Sequence, residues 1–235
     1  MRKFLLYFLL VTVVPSLSPR ACLSQTITRG PYLQRTYKNF TIIRWTTSSS
    51  TDCAVKVGTS PGAETLSFSD PSGTTHRVEV SGLQPATKYY YKIVSGGITL
   101  AGGDSSHSFI TSPDDGDEPF NVWALGDSGI STTPGQEETN QAAVRDAFLN
   151  VVPLADISLF LHLGDIAYYE GTDAQYQSAF FDFYSTILRR LSTWPTQGNH
   201  DHTANAYYSI FSLPRYAEAG GATSNTEYYY SFNHG

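Results

Sequence analysis

The chain has 235 residues, 40% of them hydrophobic and 15% charged, which is enough apolar material for one large domain or two small ones and too much for a disordered chain or a coiled coil. Its formal charge of -6 is unevenly spread: residues 1–118 carry 11 Lys+Arg against 9 Asp+Glu, and residues 119–235 carry 4 against 12. That distribution gives no basic surface for nucleic acid, and it leaves an acidic half suited either to solvation or to gathering carboxylates around a cation. The 16 Tyr, 13 Phe and 3 Trp beside a single Met favour aromatic-rich strands.

Arg2 and Lys3 precede an apolar run of 11 residues, Phe4 to Val14, closed by Pro15. A membrane span needs about 20 such residues, so no transmembrane segment is expected and residues 1–24 form a signal-peptide pattern instead. Cleavage fits after Ala21 or after Ser24. Export implies a secreted protein, extracellular or periplasmic. Removal after Ser24 leaves Cys53 as the one thiol, so no disulfide framework follows from the oxidising compartment. Arg20 stands where a lipoprotein signal needs a small residue, which weighs against Cys22 as a lipid anchor. Asn39-Phe40-Thr41 is a glycosylation sequon for a eukaryotic source.

Residues 27–112 read as short strands separated by turns: Thr41 to Thr47, Cys53 to Gly58, Thr74 to Val80, Thr87 to Val94 and Ser106 to Thr111. Alternation in the fourth puts Tyr89, Tyr91 and Ile93 on one face and Tyr90, Lys92 and Val94 on the other. Regular spacing of this kind predicts an antiparallel sandwich, with His76 and His107 expected at its surface. Within it, Leu83-Gln84-Pro85-Ala86-Thr87-Lys88-Tyr89 resembles the turn and tyrosine corner of fibronectin type III domains, and Trp45 lies in an early core strand as it does there. The resemblance implies a β-sandwich that serves as a spacer or docking platform.

Ser112-Pro113-Asp114-Asp115-Gly116-Asp117-Glu118-Pro119 is acidic and rich in breakers, and it separates two periodicities. Residues 113–119 are read as the linker between two domains. Beyond it come an apolar strand at Phe120 to Leu125, a helix near Gly135 to Val151, a strand at Ile157 to Leu163, a helix near Asp173 to Leu191 and a short strand leading to Gln197. This βαβαβ order predicts a parallel sheet with right-handed crossovers over residues 120–235. Glu227 to Phe232 is strand-like and is expected to open a second sheet.

Each of the three parallel strands runs into a glycine followed by a polar side chain: Gly126-Asp127-Ser128-Gly129, Gly164-Asp165-Ile166-Ala167-Tyr168 and Gly198-Asn199-His200-Asp201. The separations, 38 residues from Asp127 to Asp165 and 34 from Asp165 to Asn199, each fit one βα unit. In a parallel sheet these loops open at the same edge, so Asp127, Asp165 and Asn199 can converge. Two carboxylates in one crevice repel, and a cation relieves that repulsion; oxygen donors suit hard metals.

With all three blocks in order, residues 120–235 resemble the calcineurin-type metallophosphoesterases and, more narrowly, the purple acid phosphatases. That family carries GDxG, GDxxY and GNH followed by Asp or Glu, which stand here at 126–129, 164–168 and 198–201. It also places a fibronectin-like domain first. The resemblance implies that Asp127 and Tyr168 bind a ferric ion, Asp165 bridges two metals, and Asn199 holds a divalent second ion of iron, zinc or manganese. It implies that His200 acts on the phosphoryl oxygens or the leaving group of a phosphate monoester substrate. His162 and His202 are read as structural.

The family's remaining blocks, VxxH and GHxH, have no counterpart in this sequence: Ser231 stands at the critical position before His234, and no GHxH occurs. The chain is therefore read as a truncated and inactive fragment of a secreted acid phosphatase. Without the second sheet, an unpaired edge and an apolar face favour association, a homo-oligomer included. One alternative is a secreted, non-catalytic binding module with a vestigial phosphatase half. Another is a GDSL-type esterase with Ser128 as nucleophile and Asn199 in an oxyanion hole, but Asp201 and His202 are adjacent and too close to serve that chemistry.

Overall fold

The structure, a computed structural model, describes residues 25–114, 116, 119–129, 139–202 and 205–235. The expected signal segment at 1–24 and residues 135–138 of the expected first helix lie outside them.

The first half is a curled antiparallel sheet of β1 (Ile27–Gln34), β2 (Phe40–Gly58), β3 (Leu66–Ser81), β4 (Lys88–Ser95), β5 (Ile98–Gly102) and β6 (Ser108–Ile110). β2 pairs with β3 along most of its length, with β1 through its first half and with β4 through its second. The two strands expected at 41–47 and 53–58 are thus one strand, continued through register shifts between Thr46 and Cys53; such bulges keep a polar stretch within the ladder. Two further strands escaped the sequence pattern. β1 contains Gly30-Pro31, ordinarily a breaker, but it lies at the sheet edge, where a missing N–H is tolerated. β5 returns from β4 through Gly96-Gly97, both at positive φ (55° and 84°), the backbone that a two-residue hairpin requires.

Leu33, Ile43, Trp45, Val55, Val57, Tyr91 and Phe109 form the core of this half. Tyr89 and Tyr91 are buried and Tyr90 and Lys92 only partly so, as the alternation predicts. The Tyr89 hydroxyl accepts from Gln84 N–H at 2.9 Å, which pins the turn before β4. The two histidines expected at the surface are buried. His76 shares the inward face of β3 with Val78 and Val80, is 0% exposed, stacks on Trp45 at 4.8 Å, and has Asp70 Oδ2 2.7 Å from Nδ1. His107 packs edge-on against Tyr91.

The second half holds β7 (Val122–Leu125), α1 (Thr139–Val151), β8 (Leu159–His162), α2 (Asp173–Tyr176), α3 (Asp182–Leu188), β9 (Thr193–Pro195) and α4 (Ala206–Ile210). β7, β8 and β9 form a parallel sheet in that order. Trp123 of β7 stacks between Phe148 of α1 (4.3 Å) and Phe160 of β8 (4.7 Å), so the crossover helix is bound to the sheet by aromatic area. The helix expected at 173–191 begins with a capping box at Thr172 and widens into a five-residue π segment, Gln177–Phe181, between α2 and α3. Glu227 to Phe232 is not a strand. Instead Phe232 stacks on Trp194 at 3.8 Å, and the Tyr230 hydroxyl donates to Pro195 O at 2.7 Å; among the described residues it has no ladder partner.

The two halves are joined by polar contacts, some buried and some partly exposed. Arg29 reaches both carboxylate oxygens of Asp173 at 2.8 Å. Tyr32, itself part of the second core, donates to Ile210 O at 2.9 Å. Arg44 caps the same helix end through Ser209 O and Ile210 O, both at 2.5 Å, where the exposed carbonyls of a helix C-terminus favour a cation.

Candidate metal centre

The first loop leaves β7 at Gly126 and the second leaves β8 at Leu163. They run side by side, with Asp127 N–H donating to Gly164 O at 3.0 Å and Gly129 N–H to Asp165 O at 3.2 Å. Asp127 and Asp165 both adopt positive φ, 51° and 52°, a conformation that Asp tolerates better than most residues. At that bend each side chain leaves the strand direction at the sheet's carboxyl edge. The third loop, after β9, packs on the second so closely that a Cβ on Gly164 would lie 2.9 Å from the Gly198 Cα. Glycine at both positions lets backbone meet backbone.

Three of the side chains expected at the site meet there. The Tyr168 hydroxyl lies 3.1 Å from Asp127 Oδ1 and 3.2 Å from Asp165 Oδ2, so one phenolic proton is shared between two carboxylates from different strand ends. Burial first, and then the hydrogen bond to Asp127, push the Tyr168 phenol well above its usual range. Asp165 is 8% exposed, and its other oxygen accepts from His200 N–H at 3.0 Å. His200 lies beside Tyr168, ring centroids 4.4 Å apart, with Nδ1 2.8 Å from Tyr169 O. A carbonyl only accepts, so Nδ1 carries the proton and Nε2 is the free ring nitrogen. Asn199 is exposed between Gly198 and His200. His202 is exposed with Nδ1 3.3 Å from Gly198 O.

Sequence reasoning assigned no role to Asp201, which is 0% exposed. It accepts from Ile166 N–H, Ala167 N–H and Gly198 N–H at 2.9 to 3.2 Å and from the Tyr176 hydroxyl at 2.9 Å. It thereby ties the second loop to the third. Its signal was the acid after Gly-Asn-His, but an acid in a turn is ordinarily solvated, and only the N–H groups around it reveal its function.

Also unforeseen is the contact between Ser128 Oγ and His162 Nε2, at 2.6 Å. His162 is fully buried on β8, and that burial pushes its pKa down to about 3. Its Nδ1 has no partner among the described residues, so no acid orients it as a base for Ser128.

Among the described residues, no three His, Cys, Asp or Glu side chains come together as a metal-binding group. The cluster is instead two carboxylates and a phenol. A donor set of three oxygens that share a single proton fits a hard cation taking that proton's place.

Residues 32–112 match the family model of the purple acid phosphatase N-terminal domain, and residues 120–234 match that of the calcineurin-like phosphoesterases. No curated protein matches the chain. Among solved structures the chain is similar to PhoD at 13% identity and a TM-score of 0.49, over 72% of this chain and 38% of that one. It is also similar to the sixth fibronectin type III domain of human fibronectin type III domain containing protein 3, at 20% identity and a TM-score of 0.29, over 39% of this chain and 89% of that one.

Proposed function

Since the chain belongs to the calcineurin-like phosphoesterases and carries the N-terminal domain of the purple acid phosphatases ahead of that domain, we propose that the whole protein is a secreted acid phosphatase that hydrolyses phosphate monoesters at a two-metal centre. The observation that carries this reading is the Tyr168 phenol held between Asp127 and Asp165. A tyrosine in that place distinguishes an iron-binding centre from one built of carboxylates alone.

Asp127 and Tyr168 would hold a ferric ion, Asp165 would bridge to the second ion, and Asn199 would bind that divalent iron, zinc or manganese. When bound, such a pair supplies a hydroxide at modest acidity and offsets the charge of the phosphoryl oxygens. The residues of the chain prepare for this. Asp201 fixes the second loop against the third, His200 N–H orients Asp165, and His200 would pass a proton from Nε2 to the leaving oxygen. The N-terminal sheet, read as fibronectin type III-like, serves as a platform for this half. The serine esterase reading finds no support, because His162 Nδ1 has no partner among the described residues to orient the ring as a base for Ser128.

The sequence holds none of the family's VxxH or GHxH histidines, so the 235 residues alone are expected to bind metal weakly and to show no turnover of an aryl phosphate above background. The whole protein, purified and dialysed, is expected to retain iron and to show a visible phenolate-to-ferric absorption band that Tyr168→Phe abolishes. Colourless, iron-free protein that is indifferent to chelators would overturn the assignment.

A further inference from the structure

Between the two halves, away from the three loops, lies a cavity of about 310 Å³, at the lower end of the volumes that hold small molecules (roughly 300–1,000 Å³). One wall is the end of β6 with the residues leading into the linker; the other is formed by the segments that enter β8 and β9. None of residues 126–129, 164–168 or 198–201 lines it.

Two residues of this lining carry buried donors. Ser112 Oγ and Trp194 Nε1, on residues each 2% exposed, have no hydrogen-bond partner among the described residues. Lys88 and Arg190 bring positive charge, and among the described residues no Asp or Glu lines the space. The Lys88 ammonium sits 5.4 Å from the Tyr90 ring, and neither cation pairs with a carboxylate among the described residues. Phe109 and Ile157, both buried, give apolar walls. Two cations without a carboxylate partner among the described residues, set beside apolar walls, select for acceptor atoms bearing negative charge.

We propose that this interdomain cavity binds a small organic acid, with an apolar body between Phe109 and Ile157 and a carboxylate facing Lys88 and Arg190. The site is separate from the metal centre and does not rest on the assignment of phosphatase activity.

Calorimetric titration of the 235-residue chain with 2-naphthoate tests it, with 2-naphthamide as the uncharged control. Naphthoate is expected to bind saturably, and the amide about tenfold more weakly. Lys88→Gln and Arg190→Gln, at exposed and half-buried positions, are expected to weaken the acid several-fold each while leaving the thermal unfolding midpoint unchanged. A second readout is the indole N–H resonance of Trp194, which the acid should shift in the parent chain and in Asp127→Asn alike. Equal binding of acid and amide, no saturation up to about 5 mM, or binding lost in Asp127→Asn but kept in Arg190→Gln would each overturn the proposal.

Discussion

The carboxylate of Asp201 accepts three backbone N–H groups and one phenol in a place closed to water, so truncating it strands four donors at once. Asp201→Ala is expected to lower the unfolding free energy by about 3 kcal/mol, since buried donors left unpaired cost ~1–3 kcal/mol each and the loop can relax around some of them. Asp127 lies at the exposed end of its strand, and without it the Tyr168 hydroxyl still has Asp165 Oδ2 at 3.2 Å. Asp127→Asn is accordingly expected to change stability by no more than about 0.5 kcal/mol while reducing metal retention, and Ser128→Ala to matter far less for metal. Urea unfolding together with metal analysis after dialysis separates the two roles. Equal destabilisation by Asp201→Ala and Asp127→Asn would mean that Asp201 is not the tie between the loops.

At the scale of elements, β1 behaves as a strap: it belongs to the first sheet through β2, yet its Tyr32 lies in the second core and its Arg29 grips the start of α2. Hydrogen bonds from Arg29, set against a smaller effect of burial, hold the Asp173 carboxyl below its usual range. A carboxyl depressed in the folded state contributes stability above its unfolded pKa of about 3.9, and loses that contribution as pH falls through the folded value. Asp173 is 65% exposed at its side chain, so solvent screening limits the pair to no more than about 1 kcal/mol. Asp173→Asn is expected to shift the urea midpoint at pH 7 and to converge with the parent chain as pH falls below 4. A difference that persists unchanged at low pH would show that Gln177 and packing, rather than charge, hold the strap.

For the molecule as a whole, we place the domain boundary at residues 113–119, where limited proteolysis is expected to cut first. The fragments are expected to stay together on a sizing column, because Tyr32, Arg44 and Arg29 join the halves by contacts 144 to 178 residues apart in sequence. Separation of the nicked halves would show that the linker, and not this interface, keeps them adjacent. Much of this architecture was legible in advance. Period-two burial marked β4, the apolar runs marked β7 and β8, and a glycine before a polar residue at each strand end marked the three loops, because strand pattern and turn chemistry are local properties of the chain. What the tertiary structure alone decided depends on partners distant in sequence. His76 and His107 are buried because neighbouring strands present Trp45 and Tyr91 to them, the segment at 227–232 packs on Trp194 instead of forming a strand, and Asp201 turns inward because two other loop segments offer it their N–H groups. A polar side chain carries the same local signal whether water or a buried donor satisfies it, and only the folded surroundings supply the difference in free energy.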